Sequence, residues 1–313
     1  MTNQSGSEDD RCHVDSSTII GEQRQLISLA YRLLGSLAEA EDAVQEAYAR
    51  WYGMSRDKQE AIASPGAWLT KVTSRICLDL LGSARARREH YVGDWIPEPL
   101  PDSTGWIGGR SGVAGTDPAD RVTLDESVSM AFLVVLDSMT PAERVAFVLH
   151  DVFGYLFAEV AEIVGRTPAA CRQLASSARR RLRASQEPAV TKAHQAGVVR
   201  DFKQAWEAGN IDALIGLLSP NATVIADGGG QVSTIFRPVE GAEQIVRFLV
   251  RLEDRFRDLK ILIRERTVNG QPGLIAEQDG QPISVYAFEV AGNQIKHIWV
   301  VRNPNKLRPW TTD

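Results

Sequence analysis

The sequence predicts a multidomain protein: two all-α units followed by an α+β unit. Three observations carry this. Apolar residues recur at helical spacing from Gly21 to Tyr91 and again from Arg121 to Ser185. A stretch over 93–118 rich in Gly, Pro, Ser and Asp separates the two parts. After Gln186-Glu187-Pro188 the helical pattern gives way to β-branched runs divided by Asn269-Gly270, Asp279-Gly280 and Gly292-Asn293, dipeptides that mark hairpins. The expected layout is a disordered acidic tail over 1–20, a helical unit over 21–91 and a flexible linker over 92–120. A second helical unit over 121–186, a short linker over 187–195 and an α+β domain over 196–313 follow.

Composition narrows the function classes. Apolar residues at 43% and 7 tryptophans suffice for real cores, which excludes a wholly disordered chain. The formal charge is −5, so any nucleic-acid contact must come from local basic patches. The cysteines Cys12, Cys77 and Cys171 lie far apart with no paired spacing, so neither a disulfide framework nor a metal site is expected. The most apolar stretch, Val145–Gly165, is broken by His150, Asp151, Glu159 and Glu162, which argues against a membrane span. With no cationic lead into an apolar segment at the N-terminus, a cytoplasmic location is expected.

In the first unit, Leu37, Ala40, Val44, Ala47, Tyr48 and Trp51 define one buried helix face, and Glu39, Asp42, Gln45, Glu46 and Arg50 the opposite one. Ser64-Pro65 starts a second helix, with serine as cap and proline in the first turn. It runs through Trp68, Leu69, Val72, Ile76, Leu80 and Leu81 to a basic tail with Arg85, Arg87 and Arg88. In the second unit Thr140-Pro141-Ala142-Glu143 is a capping box. A short helix from Phe157 then ends at Gly165, and Thr167-Pro168 caps the next: a helix-turn-helix. On that last helix Cys171, Leu174, Ala178 and Leu182 face one way, and Ala169, Arg172, Gln173, Ser176, Arg180 and Arg183 the other. From Arg166 to Arg183 there are arginines and no acid. A run of one sign argues for a polyanionic partner. Arg and Gln near the helix start suit base edges, and later arginines suit phosphates.

These residues resemble a known family. Gly35–Trp51 resembles the core-polymerase-binding helix of the σ2 domain of bacterial sigma factors, and Pro65–Leu81 is similar to the σ2 helix that opens and reads the −10 promoter element. Met139–Leu149 with the helix-turn-helix resembles σ4, which reads the −35 element. With only a linker between them, the pattern resembles the extracytoplasmic-function group. The last third resembles the SnoaL-like (NTF2-like) fold, a cone-shaped α+β domain. Trp95-Ile-Pro-Glu-Pro-Leu100, Asp227-Gly-Gly-Gly-Gln231 and Asn303-Pro-Asn-Lys-Leu307 together resemble the subfamily in which that domain is fused to the sigma factor. Two residues depart from its pattern: Gln231 where Lys is usual, and Asn305 where an acid is usual.

The resemblance implies a sigma factor, not an enzyme, that binds core RNA polymerase (clamp of the largest subunits, and flap) and promoter DNA, with its C-terminal domain acting in cis. Asp42, Ala43, Val44, Gln45 and Glu46 would meet the polymerase. Trp68, Arg75, Asp79, Arg85, Arg87 and Arg88 would meet the −10 strand. Arg172, Gln173 and Ser176 would meet the −35 duplex, and Arg179, Arg180 and Arg183 its backbone. Trp95, Pro97, Glu98, Asp227, Gly228, Gly229, Gly230, Asn303, Pro304, Lys306 and Leu307 would form interdomain contacts. No cofactor, metal or membrane partner and no dedicated anti-sigma protein are expected, and a small-molecule ligand in the cone is left open. The alternative is a DNA-binding regulator whose cone senses a small molecule or acts as an isomerase or hydrolase, with Asp227 and His297 as an acid/base pair. A further alternative, a helix-turn-helix repressor, has no use for the Leu37–Trp51 helix.

Overall fold

The computed structural model describes residues 16–88, 91, 93–102, 126–185, 190–256 and 259–311. The first unit is four helices: α1 (Ser16–Leu34), α2 (Leu37–Tyr52), the short α3 (Arg56–Glu60) and α4 (Pro65–Arg88). α1 begins inside the stretch expected as tail. α2 is capped by Ser36, whose hydroxyl accepts from Glu39 N. Its small residues Ala40, Ala43 and Ala47 allow α1 to approach closely, and Leu29, Leu33, Leu69 and Ile76 fill the space between α1, α2 and α4.

The second unit contains α5 (Met130–Asp137), α6 (Pro141–Phe147), α7 (Phe157–Val164) and α8 (Pro168–Ser185). The capping box forms as the sequence predicts: Thr140 and Glu143 each accept a hydrogen bond from the other's backbone N–H. Gly165 ends α7 in the left-handed region at φ 69°, a conformation glycine adopts without a Cβ penalty. Ala170 N then donates to the Thr167 hydroxyl, capping α8.

The two helical units share one continuous apolar core, which runs from Leu26 of α1 to Leu182 of α8. Arg32 of α1 is wholly buried at the junction, with Nε donating to the Ser127 hydroxyl at 2.7 Å and its guanidinium over the Phe153 ring.

The third unit packs α9 (Lys192–Glu207), α10 (Ile211–Leu217) and α11 (Ala242–Phe256) with a six-stranded sheet. Its strands are β1 (Leu218–Asp227), β2 (Val239–Glu240), β3 (Ile261–Val268), β4 (Gln271–Gln278), β5 (Gln281–Ala291) and β6 (Gln294–Val301). They lie in the order β2-β1-β6-β5-β4-β3, antiparallel except for the β1–β6 pair. The Gly228–Gly230 run follows β1, whose antiparallel partner β2 starts only at Val239, so the run is part of a long connection and not a tight hairpin. Between its more exposed edge strands β2 and β3, the sheet is covered on both faces. Val224, Ala226, Tyr286, Phe288 and Ile298 meet the helices inside the cone. Ile225, Val285, Ala287, Trp299 and Val301 meet Ile96, Met130, Val134 and Leu307 outside it. That outer face joins the third unit to the other two.

Candidate nucleic-acid interface and the interdomain clasp

α8 buries Cys171, Ala175, Ala178 and Leu182 against the second unit and leaves Arg172, Gln173, Ser176, Arg180 and Arg183 exposed. The amphipathic spacing dictates this face. Arg179 differs from the expected set. Its Nε donates to Asp151 Oδ1 at 2.6 Å, where the Asp151 side chain is only 4% exposed, so the arginine neutralises a buried carboxylate inside its own unit. Helical spacing cannot reveal that pairing, because the partner is 28 residues away.

On α2, Asp42, Gln45 and Glu46 are exposed, and Glu46 also pairs with Arg50 one turn on. Ala43 and Val44 are each 1% exposed and belong to the core, so they hold the helix and cannot touch a partner; their place in the expected polymerase-facing set is corrected. On α4, Trp68 is half-buried against Trp51 at 5.3 Å between ring centres, and Arg75 and Asp79 are exposed. Arg85, Arg87 and Arg88 lie on the last turns of α4, where the side chains fall outside the described residues.

α4 packs on α7 of the helix-turn-helix. Lys71 Nζ meets Glu162 Oε2 at 2.6 Å, and Arg75 donates to the Glu162 carbonyl at 2.8 Å. The Tyr155 hydroxyl donates to Thr70 Oγ1 at 3.2 Å.

Part of the segment expected as flexible linker is an ordered strap. Ile96 to Leu100 are buried, and Pro101 pairs with Val268 at the sheet's edge. The three motifs singled out in the sequence meet on this strap. Asp227 is fully buried at the end of β1; its carboxylate accepts from Lys306 Nζ at 2.7 Å, the Tyr91 hydroxyl at 2.7 Å, Ile96 N at 3.1 Å and Gly229 N at 2.9 Å. Lys306 also donates to the Ile96 carbonyl, and its ammonium sits 4.2 Å from the centre of the Trp95 ring. Asn303 Nδ2 donates to the Tyr91 hydroxyl, and a Cβ at Gly229 (φ 62°) would lie 2.4 Å from that same nitrogen. Leu307 is buried beside Ile96, whereas Pro304 is exposed and serves only to start the short turn after Asn303. Gln231 and Asn305 are exposed, and neither side chain enters the clasp contacts described here.

The strap also touches α2. Glu98 is 4% exposed, and its carboxylate accepts from Leu37 N at 2.8 Å and the Ser36 hydroxyl at 3.2 Å, a second cap placing negative charge at a helix N-terminus. Burial pushes the Glu98 carboxyl above its usual range, partly offset by those donors.

Asn269 is a functional residue that sequence reasoning missed. It sits in the β3–β4 hairpin at φ 52° and is fully buried. Its side chain accepts from Leu100 N and donates to the Tyr31 hydroxyl and the Val128 carbonyl, while its backbone N donates to the Leu100 carbonyl. One side chain thus ties strap, α1 and the entry to α5 together. Its only signal in the sequence was Asn269-Gly270, which reads as an ordinary turn.

The proposed Asp227–His297 acid/base pair does not form. A register shift at Glu289/Val290 interrupts the alternation of side chains along β6. Ile295 turns into the cone with Ile298, while Trp299 faces outward. His297 stacks on Trp299, and its Nδ1 lies 2.6 Å from Thr223 Oγ1 and its Nε2 3.6 Å from Glu289. Among the described residues no cluster of three or more His, Cys, Asp or Glu has metal-binding geometry, and no helix is long and apolar enough to cross a membrane.

Comparison with known proteins agrees with this division. Residues 19–87 match Sigma-70 region 2, residues 129–182 match Sigma-70 region 4, and residues 199–290 match the SnoaL-like domain. The chain is 39% identical over 299 residues to the ECF RNA polymerase sigma factor SigJ of Mycobacterium tuberculosis, covering 91% of this chain and 90% of that one. It is 35% identical over 285 residues to the probable ECF sigma factor SigI of the same species, covering 91% of each. The crystal structure of M. tuberculosis SigJ superposes with a TM-score of 0.73 at 33% identity, over 94% of this chain and 99% of that one. The chain therefore belongs to the extracytoplasmic-function sigma factors, as a member with regions 2 and 4 and a fused SnoaL-like domain.

Proposed function

We propose that this sigma factor meets core RNA polymerase through the Asp42, Gln45 and Glu46 face of α2. In this reading Trp68, Arg75 and Asp79, with Arg85, Arg87 and Arg88, read the −10 strand. Arg172, Gln173 and Ser176 read the −35 duplex, and Arg180 and Arg183 hold its phosphates. Its SnoaL-like domain restrains both reading helices in cis.

Dimensions support the restraint. Elements centred at −35 and −10 lie roughly 85 Å apart along a duplex at about 3.4 Å per base pair. α4 and α8, of 24 and 18 residues, span about 36 and 27 Å. α4 lies directly against α7, next to α8, and Arg75 is engaged by Glu162. The two helices must separate to engage one promoter. The observation that carries the reading is the clasp around Asp227 and Lys306, which fastens the strap, and with it α2, to the third domain. This restraint leaves room for a separate anti-sigma protein as well, since Asp42, Gln45 and Glu46 stay exposed; the expectation that none is required is withdrawn.

Run-off transcription with core polymerase tests this. A chain ending after Pro188 and a full chain carrying Lys306→Met should both differ from the parent in product per unit of sigma factor, with Lys306→Met giving more. Equal output from all three removes the cis restraint.

A further inference from the structure

Between α6 and the helix-turn-helix the chain makes one π-turn, Val148–Val152, in which Phe153 N donates to the Val148 carbonyl at 3.1 Å. Such turns add a residue to a helix and recur at functional sites. Here the widened turn sends two successive side chains to the two helices of the helix-turn-helix. Asp151 meets Arg179 of α8. His150 meets α7: its imidazole stacks on the Phe157 ring, with 3.8 Å between centres and 24° between planes.

Both rings are held in place. His150 Nδ1 lies 2.8 Å from the Tyr155 carbonyl. A carbonyl oxygen only accepts, so Nδ1 carries the proton and the orientation of the imidazole is set. Phe157 opens α7, where the Glu159 carboxylate accepts from Leu156 N at 2.7 Å and fixes the first turn. The Arg172 guanidinium of α8 lies 5.8 Å from the centre of the Phe157 ring, within cation–π reach. Arg172 is exposed, so this contact neutralises no buried charge, unlike that of Arg179. An exposed arginine otherwise samples many rotamers, and ordering it against a base costs entropy on binding. A ring that already holds the guanidinium lowers that cost and restricts which base edge its planar fork can meet.

We propose that Phe157, held by His150, is a positioning residue for Arg172. It fixes where the guanidinium enters the major groove, and so sets base choice at one position of the −35 duplex. This rests on the reading that Arg172 meets that duplex, and adds the two rings behind it.

Holoenzyme made from the full chain and core polymerase selects from a pool of duplexes of random sequence, and the bound fraction is sequenced. Arg172→Ala should flatten the preference at one base pair. Phe157→Leu keeps apolar bulk without the ring face, and should weaken preference at that same base pair about threefold, the size of one exposed cation–π contact. Phe157→Tyr should keep the parent's preference. In an Arg172→Ala chain, Phe157→Leu should change nothing further, a coupling that general loss of packing would not reproduce. If Phe157→Leu retains the parent's preference while Arg172→Ala loses it, the positioning role is overturned and the −35 reading stands. A further loss from Phe157→Leu in the Arg172→Ala chain overturns the role as well. If Arg172→Ala retains the parent's preference, both fall. Should Phe157→Leu not fold, His150→Asn decides: it keeps a donor for the Tyr155 carbonyl and removes the stacked ring. The same loss is then expected, and an unchanged preference overturns the proposal.

Discussion

At Glu98 a carboxylate is buried 61 residues away from the amide it caps, Leu37 N. Burial raises its pKa from the ordinary value near 4.5, so between that value and the raised one the native state holds a proton that the unfolded state has lost. Stability must then fall as pH rises through that window, the reverse of an ion-paired carboxylate. Glu98→Gln keeps an acceptor for Leu37 N without a titrating group, so denaturation midpoints of parent and variant, compared from pH 4.5 upward, should show the parent losing ground with rising pH. Asn269 acts through neutral bonds. Asn269→Ala deletes three side-chain hydrogen bonds and orphans Leu100 N and the Val128 carbonyl, for a loss of about 2–4 kcal/mol in urea denaturation. Neither role was legible in the sequence. Glu98 stood out only through a motif whose contacts were unknown, and Asn269 only as a turn residue, because burial among distant segments leaves no local pattern.

At the scale of elements, α8 was the most legible part of the chain. Apolar residues at helical spacing must face the core, which leaves Arg172, Gln173, Ser176, Arg180 and Arg183 outside. Their separate roles are testable in duplex-binding assays with polymerase present. Arg180→Ala should weaken all sequences alike and reduce the slope of log K against log salt by about 0.9, the effect of one phosphate contact. Gln173→Ala should relax sequence preference and leave that slope unchanged. Arg179→Ala should leave duplex preference unaltered but lower the stability of the second unit by roughly 1–3 kcal/mol, since it leaves Asp151 buried without its cation. The strap was the least legible element. Gly- and Pro-rich composition reads as a flexible linker, yet Ile96 and Leu100 find apolar surface on the third domain and in the helical core, and Asp227 and Asn269 satisfy the backbone between them.

At the scale of the whole molecule, closure is a sum of modest contacts around one buried ion pair. The Lys71–Glu162 pair is exposed and screened by solvent, so Glu162→Ala alone should raise run-off transcription only a fewfold. The Asp227–Lys306 pair is different: removing the lysine strands a carboxylate with no exposure, so Lys306→Met should loosen the strap outright. By itself the sequence determined the two helical units, the α+β domain, the helix-turn-helix and its basic face, because these follow from periodicity, caps and turn residues within a few positions of one another. Only the tertiary structure decided that the two helical units share a core, that Ala43, Val44 and Arg179 serve the interior, that His297 faces away from the cone, and that Asp227 clasps the strap. Those outcomes depend on which distant surfaces meet, and burial of an apolar face or a charge is a property of the assembled chain.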